Sequence, residues 1–292
     1  MKQKSFTVAT AVLLILIFFA TLVSAGHGSG GSKKIGILLV AFGSSIPQAQ
    51  VSFRNIDRKV KAAYPNIPVR WAYTSSIIRK KLAKQGRRLD SPEVALAKML
   101  DDGFTHVAVQ SLHTIAGEEF HDLRRTAQRF QYQGGFKRVL VGYPLLASQK
   151  DMERVVEAIL QIIPKERKTD EAVVFMGHGT HHPSNAFYAA LMFQVQRKDP
   201  NIYIGCVEGY PQIQEIMTML LERRISKAYL MPFMSVAGDH ARNDMAGDGA
   251  DSWKSILTRA GIKCIPIMKG TAEYNDFVEI WVSHLKVPMA HF

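Results

Sequence analysis

Short apolar runs alternate with amphipathic stretches along almost the whole chain. Eight runs read as strands: Ile35–Phe42, Val69–Tyr73, His106–Gln110, Arg138–Val141, Ala172–Met176, Ile202–Val207, Ala228–Met231 and Cys264–Ile267. They are nearly continuous in apolar residues, the pattern of strands covered on both faces. Between them lie stretches with apolar residues at helical spacing, among them Gln48–Ala63, Glu119–Phe130, Met152–Ile163, Gln212–Arg223 and Asp276–Leu285. This alternation predicts an α/β fold, with parallel sheets and helices on both sides.

The second half echoes the first. Phe42-Gly43-Ser44-Ser45-Ile46-Pro47 follows the first strand, and His178-Gly179-Thr180-His181-His182-Pro183 follows the fifth, with Gly and Pro at matching offsets. Leu112-His113-Thr114-Ile115-Ala116-Gly117-Glu118-Glu119 parallels Phe233-Met234-Ser235-Val236-Ala237-Gly238-Asp239-His240. Tyr73-Thr74-Ser75 and Cys206-Val207-Glu208 occupy corresponding strand ends. The echo predicts two similar lobes, 33–145 and 146–292.

The N-terminus breaks the rhythm. Lys2 and Lys4 precede an apolar stretch from about Val8 to Val23, which ends in Val23-Ser24-Ala25. A basic start, an apolar middle and small residues at the end make a secretory signal peptide, 1–25, cleaved near Ala25. The expected location is the periplasm; an uncleaved single-span anchor is the rival. Residues 26–32 are rich in Gly and Ser and read as a flexible leader, with His27 a bystander in it. No second run is long enough to span a bilayer, which excludes a multi-pass membrane protein.

Composition narrows the classes further. A chain of 292 residues with 47% hydrophobic and 21% charged residues is globular, and two cysteines cannot build a disulfide scaffold or a four-thiolate zinc site. Cys206 and Cys264 both sit in apolar runs, so two buried thiols are favoured over a disulfide even in an oxidising compartment. Loss of the signal's two lysines lowers the formal charge from +12 to about +10. A basic surface attracts anionic partners. Export argues against nucleic acid and leaves anionic lipid or a polycarboxylate small molecule. The densest basic clusters, Arg79-Lys80-Lys81 and Arg87-Arg88, read first as solvated helix faces.

The echo also shows where the halves differ. Phe42, Ser75 and Glu119 in the first correspond to His178, Glu208 and His240 in the second. Ligands of open parallel sheets sit at the carboxyl ends of strands, so these three side chains are expected to converge on one crevice. Two imidazoles and a carboxylate suit Zn, Fe, Co or Ni better than Mg or Ca, and three protein ligands leave positions open for a substrate. A neutral His also accepts a proton near pH 7. The chain has no HExxH helix, no Gx4GK[ST] and no GxGxxG, so zincin proteases and nucleotide sites have no support.

These residues carry a resemblance. Over 33–290 the chain resembles the anaerobic cobalt chelatases of cobalamin biosynthesis, class II chelatases of the sirohydrochlorin cobaltochelatase type. The matching segments are Leu38-Leu39-Val40-Ala41-Phe42-Gly43-Ser44, Gln110-Ser111-Leu112-His113, Gly177-His178-Gly179-Thr180, Val207-Glu208-Gly209-Tyr210-Pro211 and the long stretch from Met231 to Met245. The resemblance implies two four-stranded parallel sheets with the tetrapyrrole in the cleft between lobes, and it places the metal site on His178, Glu208 and His240. It implies an enzyme, a metal-inserting lyase acting on sirohydrochlorin with Co2+ or Fe2+ and no nucleotide. The export signal departs from a family that works in the cytoplasm.

On this reading the trio grips the incoming ion while His178 or Glu208 accepts a pyrrole proton. Sirohydrochlorin carries carboxylates, for which Arg is the better partner; Arg54, Arg79 and Arg242 are the candidates. Asp239, Asp244, Asp248 and Asp251 form an acidic stretch that reads as a solvated loop, or as a gatherer of metal ions. His113 is expected to face the cleft. His121 reads as a solvent-facing helix residue or as an axial ligand to bound haem. The rival class is an exported haem or metal carrier on the same fold. A homo-oligomer is compatible with the apolar helix faces.

Overall fold

In a computed structural model, residues 32–292 are described; the signal and most of the leader expected from the sequence lie outside them. The eight strands are β1 Ile35–Ala41, β2 Val69–Tyr73, β3 His106–Ser111, β4 Arg138–Gly142, β5 Ala172–Gly177, β6 Ile202–Cys206, β7 Lys227–Pro232 and β8 Lys263–Pro266. They form two four-stranded sheets, ordered β2-β1-β3-β4 and β6-β5-β7-β8. Every pairing is parallel, as crossover helices require. The halves thus share one topology, and the α/β class agrees with the apolar runs.

Nine α-helices connect the strands among the described residues: α1 Gln50–Ala63, α2 Ser76–Ala83, α3 Pro92–Asp101, α4 Glu118–Gln133, α5 Gln149–Ile162, α6 Ala186–Gln196, α7 Ile213–Glu222, α8 Trp253–Arg259 and α9 Asn275–Ala290. None is long and apolar enough to cross a membrane. Several begin on a side-chain cap that satisfies a first-turn amide. Ser75, Ser91, Ser148 and Ser252 accept from Ile78, Val94, Asp151 and Ser255 respectively. Helices α2, α3, α6 and α8 were not set out by the periodicity. Helix α6, Ala-Phe-Tyr-Ala-Ala-Leu-Met-Phe-Gln-Val-Gln, is apolar on most of its surface and gives no one-sided pattern to read.

One buried cluster runs through both halves, from Ile37 and Leu39 of β1 to Phe175 of β5 and Trp281 of α9. Helix α9 follows the last strand of the second sheet yet packs on β3, β4 and α1 of the first. Phe277, Val278, Ile280, Trp281 and Leu285 are all buried on it. Trp281 Nε1 donates to the His113 carbonyl at 3.2 Å. His284 contacts the Tyr143 carbonyl through Nδ1 at 3.1 Å and the Asp151 carboxylate through Nε2 at 3.0 Å. Truncating a buried Trp costs about 3–5 kcal/mol, so this helix fastens the second half of the chain to the first sheet.

The carboxyl ends of the two sheets face each other. The Phe42 ring, just past β1, lies 6.1 Å from the His178 ring, just past β5. Arg242 Nη2 donates to Gln48 Oε1 at 3.0 Å, and Lys81 Nζ lies 3.9 Å from the Asp239 carboxylate.

Candidate metal centre

Three neighbouring strands of the second sheet each deliver one polar side chain at their carboxyl ends. His178 follows β5, Glu208 follows β6 by way of Val207, and His240 ends the loop after β7. With the order β6-β5-β7, His178 is central and the others flank it. One ligand atom from each of His178, Glu208 and His240 lies within 4.8 Å of those of the other two. The two imidazoles meet edge to face, with ring centroids 4.9 Å apart. The Glu208 carboxylate approaches His178 Nδ1 to 3.9 Å and is the most open of the three, its side chain 55% exposed against 37% for His178.

The backbone around the trio is tightly determined. Val207 N donates to the Gly177 carbonyl and Glu208 N to the His178 carbonyl, so the β5–β6 ladder continues past both strands and fixes the two loops together. Gly179 has φ +78°, and a Cβ there would stand 2.7 Å from both Cys206 Cβ and Gly209 N. Only glycine allows that turn with the neighbouring loop so close. Asn185 holds both loops from outside: its Oδ1 accepts from Thr180 N at 3.1 Å and its Nδ2 donates to the Tyr210 carbonyl at 2.7 Å. After His240 the chain makes one turn of π-helix, Ala241–Met245, a feature common at functional sites. That turn returns Asp244 to His240, with Oδ2 2.5 Å from Nδ1.

These contacts settle the imidazole tautomers. A carbonyl oxygen only accepts, so the 3.0 Å contact of His178 Nδ1 with the Gly179 carbonyl puts a proton on Nδ1. The Asp244 carboxylate does the same for His240. In both neutral rings the lone pair is on Nε2. A histidine whose other nitrogen donates to a carboxylate or carbonyl is the usual oriented metal ligand. Asp244 is the residue the sequence reading left in an acidic loop. Its signal was available: it lies four residues after His240, one helical turn away.

The other candidates separate from the trio. The expected acidic stretch does not act as one surface: Asp239 faces Lys81, Asp244 orients His240, and Asp248 pairs with Lys254 at 2.7 Å. Arg242 is taken up by Gln48, and Arg54 is exposed on α1. His113 is half-buried, with Nδ1 2.8 Å from Ser111 Oγ and Nε2 3.2 Å from the Glu119 carboxylate, too skewed for a hydrogen bond. His121 is half-buried on the first turns of α4. Its contacts are with rings, Phe120 at 5.8 Å and His182 at 5.0 Å between centroids. His182 Nδ1 accepts from Ser184 N at 3.1 Å, so its neutral ring carries the proton on Nε2, the reverse of His178 and His240. Neither cysteine is in a disulfide: Cys206 is buried and Cys264 half-buried. Burial pushes the Cys206 thiol up to about 12, which keeps it protonated and inert beneath the site.

Comparison with known proteins agrees with this architecture. The description "Cobalt chelatase (CbiK)" matches residues 35–290. The chain is 47% identical over 252 residues to sirohydrochlorin cobaltochelatase CbiKC of Nitratidesulfovibrio vulgaris, covering 86% of this chain and 89% of that one. It is 37% identical over 254 residues to the sirohydrochlorin cobaltochelatase of Salmonella typhimurium, covering 86% and 95%. Among solved structures, SirB from Bacillus subtilis with Fe3+ superposes with a TM-score of 0.58 at 17% identity, over 88% of this chain and 96% of SirB. CbiX, the terminal enzyme of sirohaem biosynthesis in denitrifying bacteria, gives 0.54 at 17% identity, over 86% and 98%. These two likenesses speak for the fold, and the sequence matches speak for the family. The chain belongs to the CbiK family of cobalt chelatases.

Proposed function

We propose that this chain inserts Co2+ into sirohydrochlorin, with His178, Glu208 and His240 presenting the metal to the ring. The observation that carries the reading is the meeting of the three side chains at adjacent strand ends, facing the other lobe. Both imidazoles offer an Nε2 lone pair, and the carboxylate offsets one charge of the ion. Three ligands leave coordination positions free, so the pyrrole nitrogens can replace water one at a time. Holding ion and macrocycle in one cleft converts a slow encounter into a local exchange.

The reaction releases the two N–H protons of the ring as the metal comes to be held by its four nitrogens. Glu208, open to solvent and beside His178, is placed to take a proton from the ring face and pass it to water. His178 serves as the second acceptor once the ion has moved from its Nε2 to the macrocycle. Nitrogen and carboxylate ligands alone bind Cu2+ and Ni2+ more tightly than Co2+ or Fe2+. Choice of metal therefore rests on geometry and supply, and Fe2+ is a second substrate of the same site.

Insertion is followed by absorbance in purified protein given sirohydrochlorin with Co2+ or Fe2+ in parallel. His178→Ala and His240→Ala should each lower the rate by at least about a hundredfold, beyond the 10–100-fold typical of outer partners. Wild-type rates in both variants would reject the assignment.

Two further parts of the reading rest on sequence and position. The signal peptide directs the chain to the periplasm, and half-buried His121, whose ring makes no hydrogen bond among the described residues, supplies an axial ligand to a haem. Protein isolated from the periplasm should begin near Gly26 and show a Soret band that His121→Ala removes. An intact signal peptide, or no band after haem addition, would count against the respective part.

A further inference from the structure

Basic residues cluster on α2, at Arg79-Lys80-Lys81, and just past it, at Arg87-Arg88. Helix α2 begins at the carboxyl end of β2, and the chain there is tied to the metal centre by short steps. Thr74 N and Ser75 N donate to the carbonyls of Ala41 and Phe42, at 2.9 and 3.1 Å. Phe42 is the residue whose ring faces His178. Thr74 therefore lies one strand spacing, about 5 Å, from the wall of the metal cleft. Its hydroxyl and Arg79 line a cavity of about 310 Å3 with Arg125 and Arg129 of α4. On the other side of Arg79 a groove of about 460 Å3 carries Lys80 and Arg88.

Two polar atoms here lack any partner although both are buried: Thr74 Oγ1 and Arg79 Nε. Buried donors without acceptors are uncommon, because each forfeits its hydration for nothing. The cavity also holds three acids, Glu93, Glu119 and Asp122, and each is turned toward a neighbour other than Arg79 Nε. Asp122 pairs with Arg125, Glu119 faces His113, and Glu93 accepts from Thr126 Oγ1 at 3.1 Å. Burial works to raise the Glu93 carboxyl, but hydrogen bonds from Ser91, its own backbone and Thr126, with the charge of Arg79, hold it below the ordinary range. Arg129 pairs with no acid among the described residues. Glu93 is near enough for its charge to be felt, but Arg79 closes no ion pair among the described residues and its Nε has no acceptor.

We propose that Arg79 and Thr74 form a subsite for a carboxylate arm of the macrocycle, at the rim of the cleft whose floor is Phe42 and His178. Arg79 donates from Nε and one Nη to the two carboxylate oxygens, and the Thr74 hydroxyl donates to one of them. Lys80 and Arg88 favour the approach of further arms along the adjoining groove. The subsite selects a macrocycle bearing carboxylates and adds to its binding. This inference rests on the tetrapyrrole reading of the trio, and Arg79 and Thr74 act as positioning residues.

The test measures sirohydrochlorin binding without metal, by quenching of intrinsic fluorescence, in wild type, Arg79→Gln, Arg79→Lys and Thr74→Val. Arg79→Gln should weaken binding about tenfold, the usual scale for losing hydrogen bonds to a charged group. Arg79→Lys should recover part of the loss, and Thr74→Val should show a smaller one. In turnover Arg79→Gln should raise KM with kcat little changed, since the arm is bound alike before and during insertion. Co2+ binding alone, by calorimetry, should stay at the wild-type value, which also reports that the variant is folded. Equal sirohydrochlorin affinity in wild type and Arg79→Gln would overturn the subsite and leave the function standing. A wild type that does not bind sirohydrochlorin would overturn both.

Discussion

After β1 and β2, and at the head of α4 beyond β3, the first lobe places Phe42, Ser75 and Glu119. After β5, β6 and β7 the second places His178, Glu208 and His240. The strand order is the same in both sheets, so topology presents three side chains at the same three places twice. What differs is what the adjoining chain asks of them. In the first lobe α2 starts at once, and Ser75 spends its hydroxyl capping Ile78 N at 3.3 Å. In the second, residues 209–211 intervene before α7, and Gln212 N is satisfied by the Glu215 carboxylate at 2.8 Å. Glu208 is thereby released from capping. Likewise Glu119 enters the first turn of a regular helix and faces His113, whereas His240 precedes a π-turn that brings back its own carboxylate. A strand end becomes a ligand position when its loop no longer needs that side chain for local order.

The largest effect expected from this contrast is at the carboxylate. Asp244→Asn removes the charged acceptor that orients His240 and should weaken Co2+ binding by about 10–100-fold. Glu119→Gln, at the first lobe's counterpart of His240, should leave Co2+ binding unchanged. Calorimetric titration of both variants decides the matter. Equal losses would break the distinction between the lobes.

A smaller effect separates the two glycines that open the matching loops. Gly43 and Gly179 both have positive φ, +108° and +78°. A side chain in the left-handed region costs about 1–2 kcal/mol, so alanine is unfavourable at either place. At Gly43 the new Cβ would meet Ile78 Cγ2 at 3.3 Å, a side-chain contact that can shift. At Gly179 it would meet backbone, Gly209 N, at 2.7 Å. Urea unfolding should therefore show a larger loss for Gly179→Ala, about 3 kcal/mol against about 1–2 for Gly43→Ala. Equal losses would mean that the Glu208 loop is more yielding than its hydrogen bonds imply.

Much of this arrangement could be read from residue order. Strands covered on both faces have no polar alternation, so Val173, Val174 and Phe175 stand together and mark β5. The repeated offset of Gly and Pro after β1 and β5 aligned the halves and drew attention to His178, Glu208 and His240. The partner of His240 was harder to see, because a π-turn has no periodic signature of its own and Asp244 sits among other acids. The return of α9 to the first sheet was also hidden. An amphipathic pattern says which face is buried, not against which sheet. Arg79 was one basic residue among several until the cavity beside it showed a buried Nε without an acceptor.

The smallest expected effect lies at alkaline pH, where one group in each lobe can be removed without disturbing the metal site. Burial pushes the Cys264 thiol of β8 up to about 11, against a bond from Thr258 and the charge of Lys254 that act to lower it. In the first lobe burial pushes the Tyr73 hydroxyl up to about 12, with Arg87 acting to lower it and Asp57 to raise it further. In the unfolded chain these groups ionise near 9 and 10. Above those values the unfolded chain loses protons that the folded chain keeps, so rising pH favours unfolding. Their stabilising contribution is complete below pH 9 for Cys264 and below pH 10 for Tyr73. It is lost as pH approaches 11 and 12. Urea midpoints measured from pH 8 upward should fall first in the window that Cys264 shares with Cys206, and Cys264→Ala should flatten part of that fall. Tyr73→Phe keeps the packing on Phe53 and Trp71 and should flatten only the later part. A wild-type midpoint that held steady from pH 9 to 11 would show that neither group is as well shielded as its surroundings indicate.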